Sequence, residues 1–505
     1  MKPPTSRLLL AAGTVLCAAA LLAPAGSAAT APAPAVQAAD GDPVSIGTWR
    51  SLESEVLGES RKLMISLPPG HEVGDARYPV LYLLDGDSHF THTVGLLRFL
   101  ESTAEAPPTI VVGIPNTDRT RDLTPPTAGG KDEFPTAGGV DDFLRFLRDE
   151  VFPWIEVEYR GSRHRTLVGH SFGGLTAIYA LVHHPEDYAA YLAISPSLWW
   201  DEQRLVAQAT AAFADAEPRE TGLYMTLGSE DSNMRGGFRR MEALLSEGAP
   251  AGLRWDSRVL PDENHMSVPY RSTLLGLRFL YHDWALPELT TDFLASGWSA
   301  VTTAYEASAA RYGTPRALDD MSLVLLAMAL MDAGRLSQAL DALDSAPPPL
   351  EAPAVAYEMV GMSAKADGNQ AAAQRAFLAA LRLNPGSQSL REDLRAAGGD
   401  PDQVPRPQPV DAEEAAAYLG LYAGELDGEQ ESVTVSYIDG RLVATFGDGP
   451  VPAMQRIAGD RFQLFDGYLQ LEFQRDDSGA VVALMAKLPG QGPAELRRVV
   501  TTPPR

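Results

Sequence analysis

The sequence predicts an α/β protein with two further parts: a sheet with helices on both faces, then an α-helical repeat region, then a small antiparallel β domain. Three observations carry this. Between about 44 and 290, short apolar runs of buried-strand type alternate with helix-like stretches. From Leu294 to about Ala397, alanine and leucine recur at helical spacing without a strand-like run. From Asp411 to Val500, short runs rich in β-branched and aromatic residues are separated by turn residues. The expected division is a signal peptide at 1–28, an Ala/Pro-rich linker at 29–43, the α/β domain at 44–290, the helical region at 291–397, a linker at 398–410 and the β-rich domain at 411–505.

At the start of the chain, Lys2 and Arg7 precede an apolar stretch from Leu8 to Leu22, followed by Ala25-Gly26-Ser27-Ala28. This is the pattern of a signal peptide, cleaved after Ala28 or at a second site after Ala38, and it is too short to favour a permanent span. The expected location is secreted or cell-envelope, with no membrane span in the mature form. Cys17, the only cysteine, lies inside the apolar stretch, so the mature protein should lack both disulfides and a lipid anchor. A chain of 505 residues can build two or three ordinary cores instead. Its net charge of −25 and pI near 4.7 argue against a nucleic-acid or anionic-membrane partner, because like charges repel.

The chemistry lies in the α/β part. Thr166-Leu167-Val168 reads as a short buried strand, Leu175 to Val182 as a packed helix, and between them stands Gly169-His170-Ser171-Phe172-Gly173-Gly174. This is a nucleophile elbow: a serine on a sharp strand-to-helix turn needs a side-chain-free residue two positions before and two after it, so that the backbones pass closely. Ser171 is the candidate nucleophile. In the hydrolase topology the acid and then the histidine follow the serine. The strand Gly222 to Leu227 breaks at Gly228-Ser229-Glu230-Asp231, which offers Asp231 as first choice of acid and Glu230 as the alternative. The strand Leu253 to Leu260 then stops at Pro261-Asp262-Glu263-Asn264-His265, just before the amphipathic stretch Tyr270 to Trp284, and places His265 as the base. The oxyanion hole needs the backbone NH after the serine, Phe172, and one from the loop after an earlier strand. That strand is Pro79 to Leu84, ending in Asp85-Gly86-Asp87-Ser88, and Asp87 is placed as the second donor by position.

From about Val44 to Leu286 the chain resembles the putative-esterase family of α/β-hydrolases, which includes enterobactin esterases, feruloyl esterases and antigen 85 mycolyltransferases. The matching stretches run from Tyr78 to Phe90 (YPVLYLLDGDSHF), from Ile114 (IPNTDRTRDLTPP), through the GHSFGG elbow, from Ile194 (ISPSLWW), and through the histidine loop. The resemblance implies Ser171 as nucleophile, His265 as base, Asp231 at the acid position and Asp87 at the oxyanion loop. Two further stretches are candidates for the substrate pocket. Arg121, in the loop after the strand Thr109 to Ile114, can meet an anionic or phenolate-rich substrate, as in the siderophore esterases this region resembles; the alternative is a loop held by Arg/Asp pairs. Trp199 and Trp200 follow another strand-like run and either wall an acyl or aromatic site or pack in the core.

In the helical region two segments repeat with the 34-residue period of a tetratricopeptide repeat. Tyr357, Val360, Gly361, Gly368, Ala373, Phe377, Ala380 and Pro385 occupy the positions where such a repeat wants large, large, small, turn, small, large, small and proline, and Leu323, Leu326, Ala327, Gly334, Ala339 and Leu343 match in register. A helix from Thr291 to Tyr312 is expected to complete the stack. The repeats serve either as a spacer or as a protein or peptide contact. In the last part, Val433 to Tyr437 and Leu442 to Phe446 flank Asp439-Gly440 as a hairpin, and Phe462 to Phe465, Tyr468 to Phe473 and Val481 to Lys487 continue the pattern. With its opening Ala417-Tyr418-Leu419-Gly420-Leu421-Tyr422 it resembles the β-rich C-terminal appendage of some serine-β-lactamase-like proteins.

The reading is a secreted serine hydrolase that cleaves a small-molecule carboxylic ester through an acyl-enzyme on Ser171. Acyl transfer to another acceptor uses the same residues, and an inert binding protein is the alternative of a different class. No metal and no cofactor is expected, since no His/Asp/Glu cluster has ligand spacing.

Overall fold

The computed structural model describes residues 44–499 apart from 73, 128–133, 285–292, 295, 317, 319, 348–349, 408, 427–428, 447–452, 465–468 and 488–492. The proposed signal peptide, the first linker and Cys17 lie outside the described residues. From Ile46 onward the chain forms one contact unit.

The α/β part contains β1 (Thr48–Ser54), β2 (Glu59–Ser66), β3 (Tyr78–Leu84), α1 (Gly86–Ser102), β4 (Ile110–Ile114) and the one-turn α2 (Arg119–Leu123). Next, α3 (Val140–Phe146) continues through a π-helical turn into α4 (Phe152–Glu158). The order continues with β5 (Gly161–His170), α5 (Phe172–His183), β6 (Ala190–Ile194), α6 (Trp200–Ala214), β7 (Thr221–Leu227), α7 (Ser232–Gly248), β8 (Leu253–Val259) and α8 (Val268–Leu280). The strands form one sheet in the order β1-β2-β4-β3-β5-β6-β7-β8; β1, β2 and β4 pair antiparallel, and every later pairing is parallel. Strands β3, β4, β6 and β7 are buried along their whole length, as expected of parallel strands covered on both faces. Alternation along β3 divides the core. Tyr82 and Leu84 join a cluster with α3 to α7, whereas Leu81 and Leu83 join Phe90, Val94 and Leu97 of α1 and Leu277 of α8 on the other face. The strand order reverses between β3 and β5, so the crevice beyond their carboxyl ends is where an open α/β sheet takes its ligand.

The helical region begins with α9 (Trp298–Tyr312), whose Tyr312 is buried beside Tyr281 and Trp284 and accepts a hydrogen bond from Ser162 Oγ at 2.6 Å. The helix starts later than the expected Thr291, a residue outside those described. Two antiparallel pairs follow: α10 (Asp320–Asp332) with α11 (Leu336–Asp344), and α12 (Ala354–Ala366) with α13 (Gln370–Leu383). Gly334 and Gly368 turn the chain within each pair at φ of +70° and +73°, a region open to glycine. The expected large positions Leu323, Leu326, Tyr357, Val360 and Phe377 are buried in one core. A capping helix, α14 (Gln388–Ala396), closes the stack and buries Arg391, which donates to the carbonyls of Pro385, Pro401 and Val404 at 2.7–2.9 Å.

After the short α15 (Ala412–Ala415) come β9 (Gly420–Leu426), β10 (Glu429–Ile438), β11 (Arg441–Phe446), β12 (Gln455–Ala458), β13 (Arg461–Leu464), β14 (Leu469–Arg475), β15 (Val481–Lys487) and β16 (Ala494–Arg498). They form one antiparallel sheet in the order β11-β10-β9-β16-β15-β14-β13-β12. A bridge between Val443 and Ala453 nearly closes it into a barrel around Tyr418, Tyr422, Phe462 and Phe473. Asp439 and Gly440 both have positive φ, as a two-residue hairpin turn requires. Of the expected strands, the ends Phe465 and Tyr468 lie outside the described residues. Lys487 pairs with Asp320 at 3.0 Å and joins this domain to the helices.

The repeat core depends on close approach at Gly361, where a Cβ would stand 2.7 Å from the Phe377 ring. Gly361→Val should therefore destabilise the protein by about 1–3 kcal/mol through overpacking; urea denaturation of the two proteins measures it.

Candidate active site

The elbow is built as its glycines demand. A Cβ on Gly169 would lie 2.2 Å from the carbonyl carbon of Gly173, and one on Gly174 would lie 2.9 Å from the carbonyl oxygen of Ile194. This crowding leaves Ser171 at φ +60°, ψ −114°, a sparsely populated conformation that costs about 1–3 kcal/mol. Ser171 NH is held by the Ile194 carbonyl at 2.9 Å, and the half-buried side chain stands 3.3 Å from Ser197 Oγ. Helix α5 starts immediately behind it, so Phe172 NH has no intrahelical acceptor.

His265, on the loop after β8, is brought to the same end of the sheet and its ring lies 4.6 Å from that of His170, the residue before the serine. Its Nδ1 lies 3.0 and 3.1 Å from the two carboxylate oxygens of Glu230. That contact fixes the proton on Nδ1 and leaves Nε2 as the basic nitrogen. Asp231, the first choice on sequence, is not the carboxylate at the histidine. It caps α7, accepting from Asn233 NH at 2.9 Å and Met234 NH at 3.0 Å, and so is committed to the helix terminus. Glu230 has the longer side chain and is further oriented by buried Ser195, which donates to it at 2.8 Å and accepts from Gly228 NH at 3.3 Å. Sequence reasoning missed Ser195; its signal was the ISPSLWW run after β6, from which the sequence reading draws only the two tryptophans as site candidates.

After β3, Asp85 adopts φ +53°, ψ +43° and its carbonyl accepts the NH groups of Ser88 and His89. Gly86 and Asp87 are thus the first two residues of α1, with NH groups that have no intrahelical acceptor, and Asp87 is exposed there. Arg121 is engaged elsewhere. Its guanidinium pairs with Glu59 at 2.6 Å and Asp122 at 2.7 Å, in a network completed by buried Arg61 on Asp122 at 2.6 Å. The arginine at the elbow is Arg119, which the sequence reading passed over. Trp200 is buried, donates to the Pro125 carbonyl at 3.1 Å and lies 5.4 Å from the Phe172 ring; half-buried Trp199 lies 6.2 Å from the same ring, and both neighbour Phe134, at 5.0 and 6.4 Å.

A column of imidazoles lines the other side: His92, His89, His170 and His265 follow one another with ring separations of 5.3, 5.4 and 4.6 Å. Burial, then the neighbouring imidazoles of His265 and His89, push His170 down to about 3, and burial and His89 push His92 down to about 4. Burial also lowers His89. Among the described residues no group of side chains is arranged to hold a metal ion, and no helix is long and apolar enough to cross a membrane.

Because these histidines are harder to protonate when folded, the unfolded chain binds more protons between the ordinary value of 6.5 and about 3–4. Stability should fall as pH drops from 6.5 to 5. His92→Gln should flatten that fall, as read by thermal denaturation at each pH.

A match to the family described as putative esterase covers residues 54–266. The ferri-bacillibactin esterase BesA of Bacillus subtilis is 29% identical over 231 residues, which is 41% of this chain and 80% of that one. A siderophore enterobactin esterase of Emericella nidulans is 37% identical over 164 residues, 27% of this chain and 54% of that one. The crystal structure of an IroE-like serine hydrolase from Shewanella oneidensis superposes with a TM-score of 0.50 at 29% identity, over 58% of this chain and 96% of the other. Through residues 54–266 of its α/β part, this chain is similar to the putative-esterase family.

Proposed function

We propose that this protein is an exported serine esterase in which Ser171, His265 and Glu230 form the catalytic triad. The observation that carries the reading is a strained serine on a glycine-bounded elbow at the same sheet end as a histidine whose Nδ1 faces a buried carboxylate. Ser171 Oγ attacks the ester carbonyl as His265 Nε2 takes its proton; the oxyanion meets the NH groups of Phe172 and Asp87. His265 then returns the proton to the leaving alcohol. In the second half, water attacks the acyl-enzyme with the same base, and releases the acid and Ser171.

The relatives' names make a siderophore ester the first substrate to try, with Trp199 and Phe134 forming an aromatic wall beside Phe172. The N-terminal segment supports export, with maturation after Ala28 or Ala38. The helix pairs, with tetratricopeptide-like spacing, act as a spacer that joins the hydrolase to the β-rich domain and can offer a surface to a protein or peptide.

Glu230→Gln should lower kcat by roughly 10⁴-fold while the protein stays folded, by analogy with removal of the acid in other triads. Asp231→Ala should keep kcat within about twofold of wild type while losing about 0.5–2 kcal/mol of stability with its cap. Steady-state hydrolysis of an aryl ester and thermal denaturation separate the two; the reverse assignment of effects would make Asp231 the acid.

A further inference from the structure

The carboxylate of Asp85 is almost fully enclosed and takes a bidentate contact from Arg119, Nε to Oδ1 at 2.6 Å and Nη2 to Oδ2 at 2.9 Å. Asn116 Nδ2 adds a third bond at 2.7 Å. The same Arg119 Nη2 donates to the carbonyl of His170 at 3.1 Å, and the guanidinium lies 5.3 Å from the ring centre of Phe172. One arginine therefore holds the residues on both sides of Ser171. The carboxylate also lies beside the elbow, where a Cβ on Gly173 would stand 3.3 Å from Asp85 Oδ2. Burial alone would raise the Asp85 carboxyl, yet the Arg119 and Asn116 contacts outweigh it and hold it below the ordinary range, so it is charged at neutral pH.

We propose that the Asp85–Arg119 pair is a positioning device that sets the spacing of the two oxyanion donors. Asp85 immediately precedes Gly86-Asp87, the source of one donor, and Arg119 grips His170 and Phe172, the source of the other. These segments come from the ends of β3 and β5, on opposite sides of the crevice, and Arg119 enters from a third element, α2 after β4. A bidentate guanidinium–carboxylate pair fixes both distance and orientation, which a lysine would not. Neither residue touches the substrate in this scheme. The inference rests on the proposed roles of Ser171, Phe172 and Asp87.

The test compares wild type, Arg119→Met, Arg119→Lys, Asp85→Asn and the double variant Asp85→Asn/Arg119→Met, all as the full chain, in hydrolysis of a p-nitrophenyl ester. Misplacing one donor should lower kcat by about 10²-fold with KM within about twofold, and Arg119→Lys should recover little. The double variant should lose no more than either single one, because both break the same pair. Single losses that multiply in the double variant, or an Arg119→Met kcat within twofold of wild type, would overturn the proposal. Should a variant fail to fold, Asn116→Ala, which removes one bond to Asp85, should give a smaller kcat loss with unchanged KM; no change in kcat would overturn it equally. Ser171→Ala in the same assay separates the two readings: if it retains turnover, the nucleophile assignment fails, whereas an inactive Ser171→Ala beside an unaffected Arg119→Met rejects the positioning role alone.

Discussion

The site depends on one close passage of backbone, Gly169 against Gly173. With 2.2 Å between a would-be Cβ and the opposing carbonyl carbon, no side chain fits, and the turn that results holds Ser171 in a conformation it would not choose. Strain of this kind persists only where the surroundings over-determine it, and here they do. Ile194 holds the serine NH, Ser197 NH holds its carbonyl at 3.1 Å, and buried β5 and α5 run away from it in fixed directions. Everything else arrives at this point on loops from the carboxyl ends of neighbouring strands: Asp85 after β3, Arg119 after β4, Ser195 after β6, Glu230 after β7 and His265 after β8.

Much of this was legible in the chain because the signals were local. The elbow shows itself by glycine spacing, and the strands around it by apolar runs of the right length. The helical pairs show themselves by a period that places Gly334 and Gly368 at turns, and the β domain by alternation and by Asp439-Gly440. The strands missed were β1, exposed along most of its length, its neighbour β2, the four-residue β12, and β16, whose Ala494–Arg498 is charged at three positions; β9 was sensed only through resemblance. A β run shows little when half of it faces solvent or when the segment is shorter than the pattern that would reveal it.

What the chain could not settle were choices between neighbours. Glu230 and Asp231 are adjacent carboxylates at one strand end, and the three-dimensional answer turns on reach: the shorter side chain suits the start of α7, and the longer one extends to His265. Arg119 and Arg121 are two residues apart on one helical turn, so they point about 200° apart, one toward the elbow and the other toward the Glu59 and Asp122 network. The imidazole column was likewise invisible, because His89 and His92 come from α1 and His170 from β5.

The central claim, that Ser171 carries the acyl group, is tested most directly by mass spectrometry of the protein after reaction with a fluorophosphonate, followed by peptide mapping. A single adduct on Ser171, absent from folded Ser171→Ala, is the predicted result. An adduct on another residue, or none on a wild type that still hydrolyses esters, would contradict it.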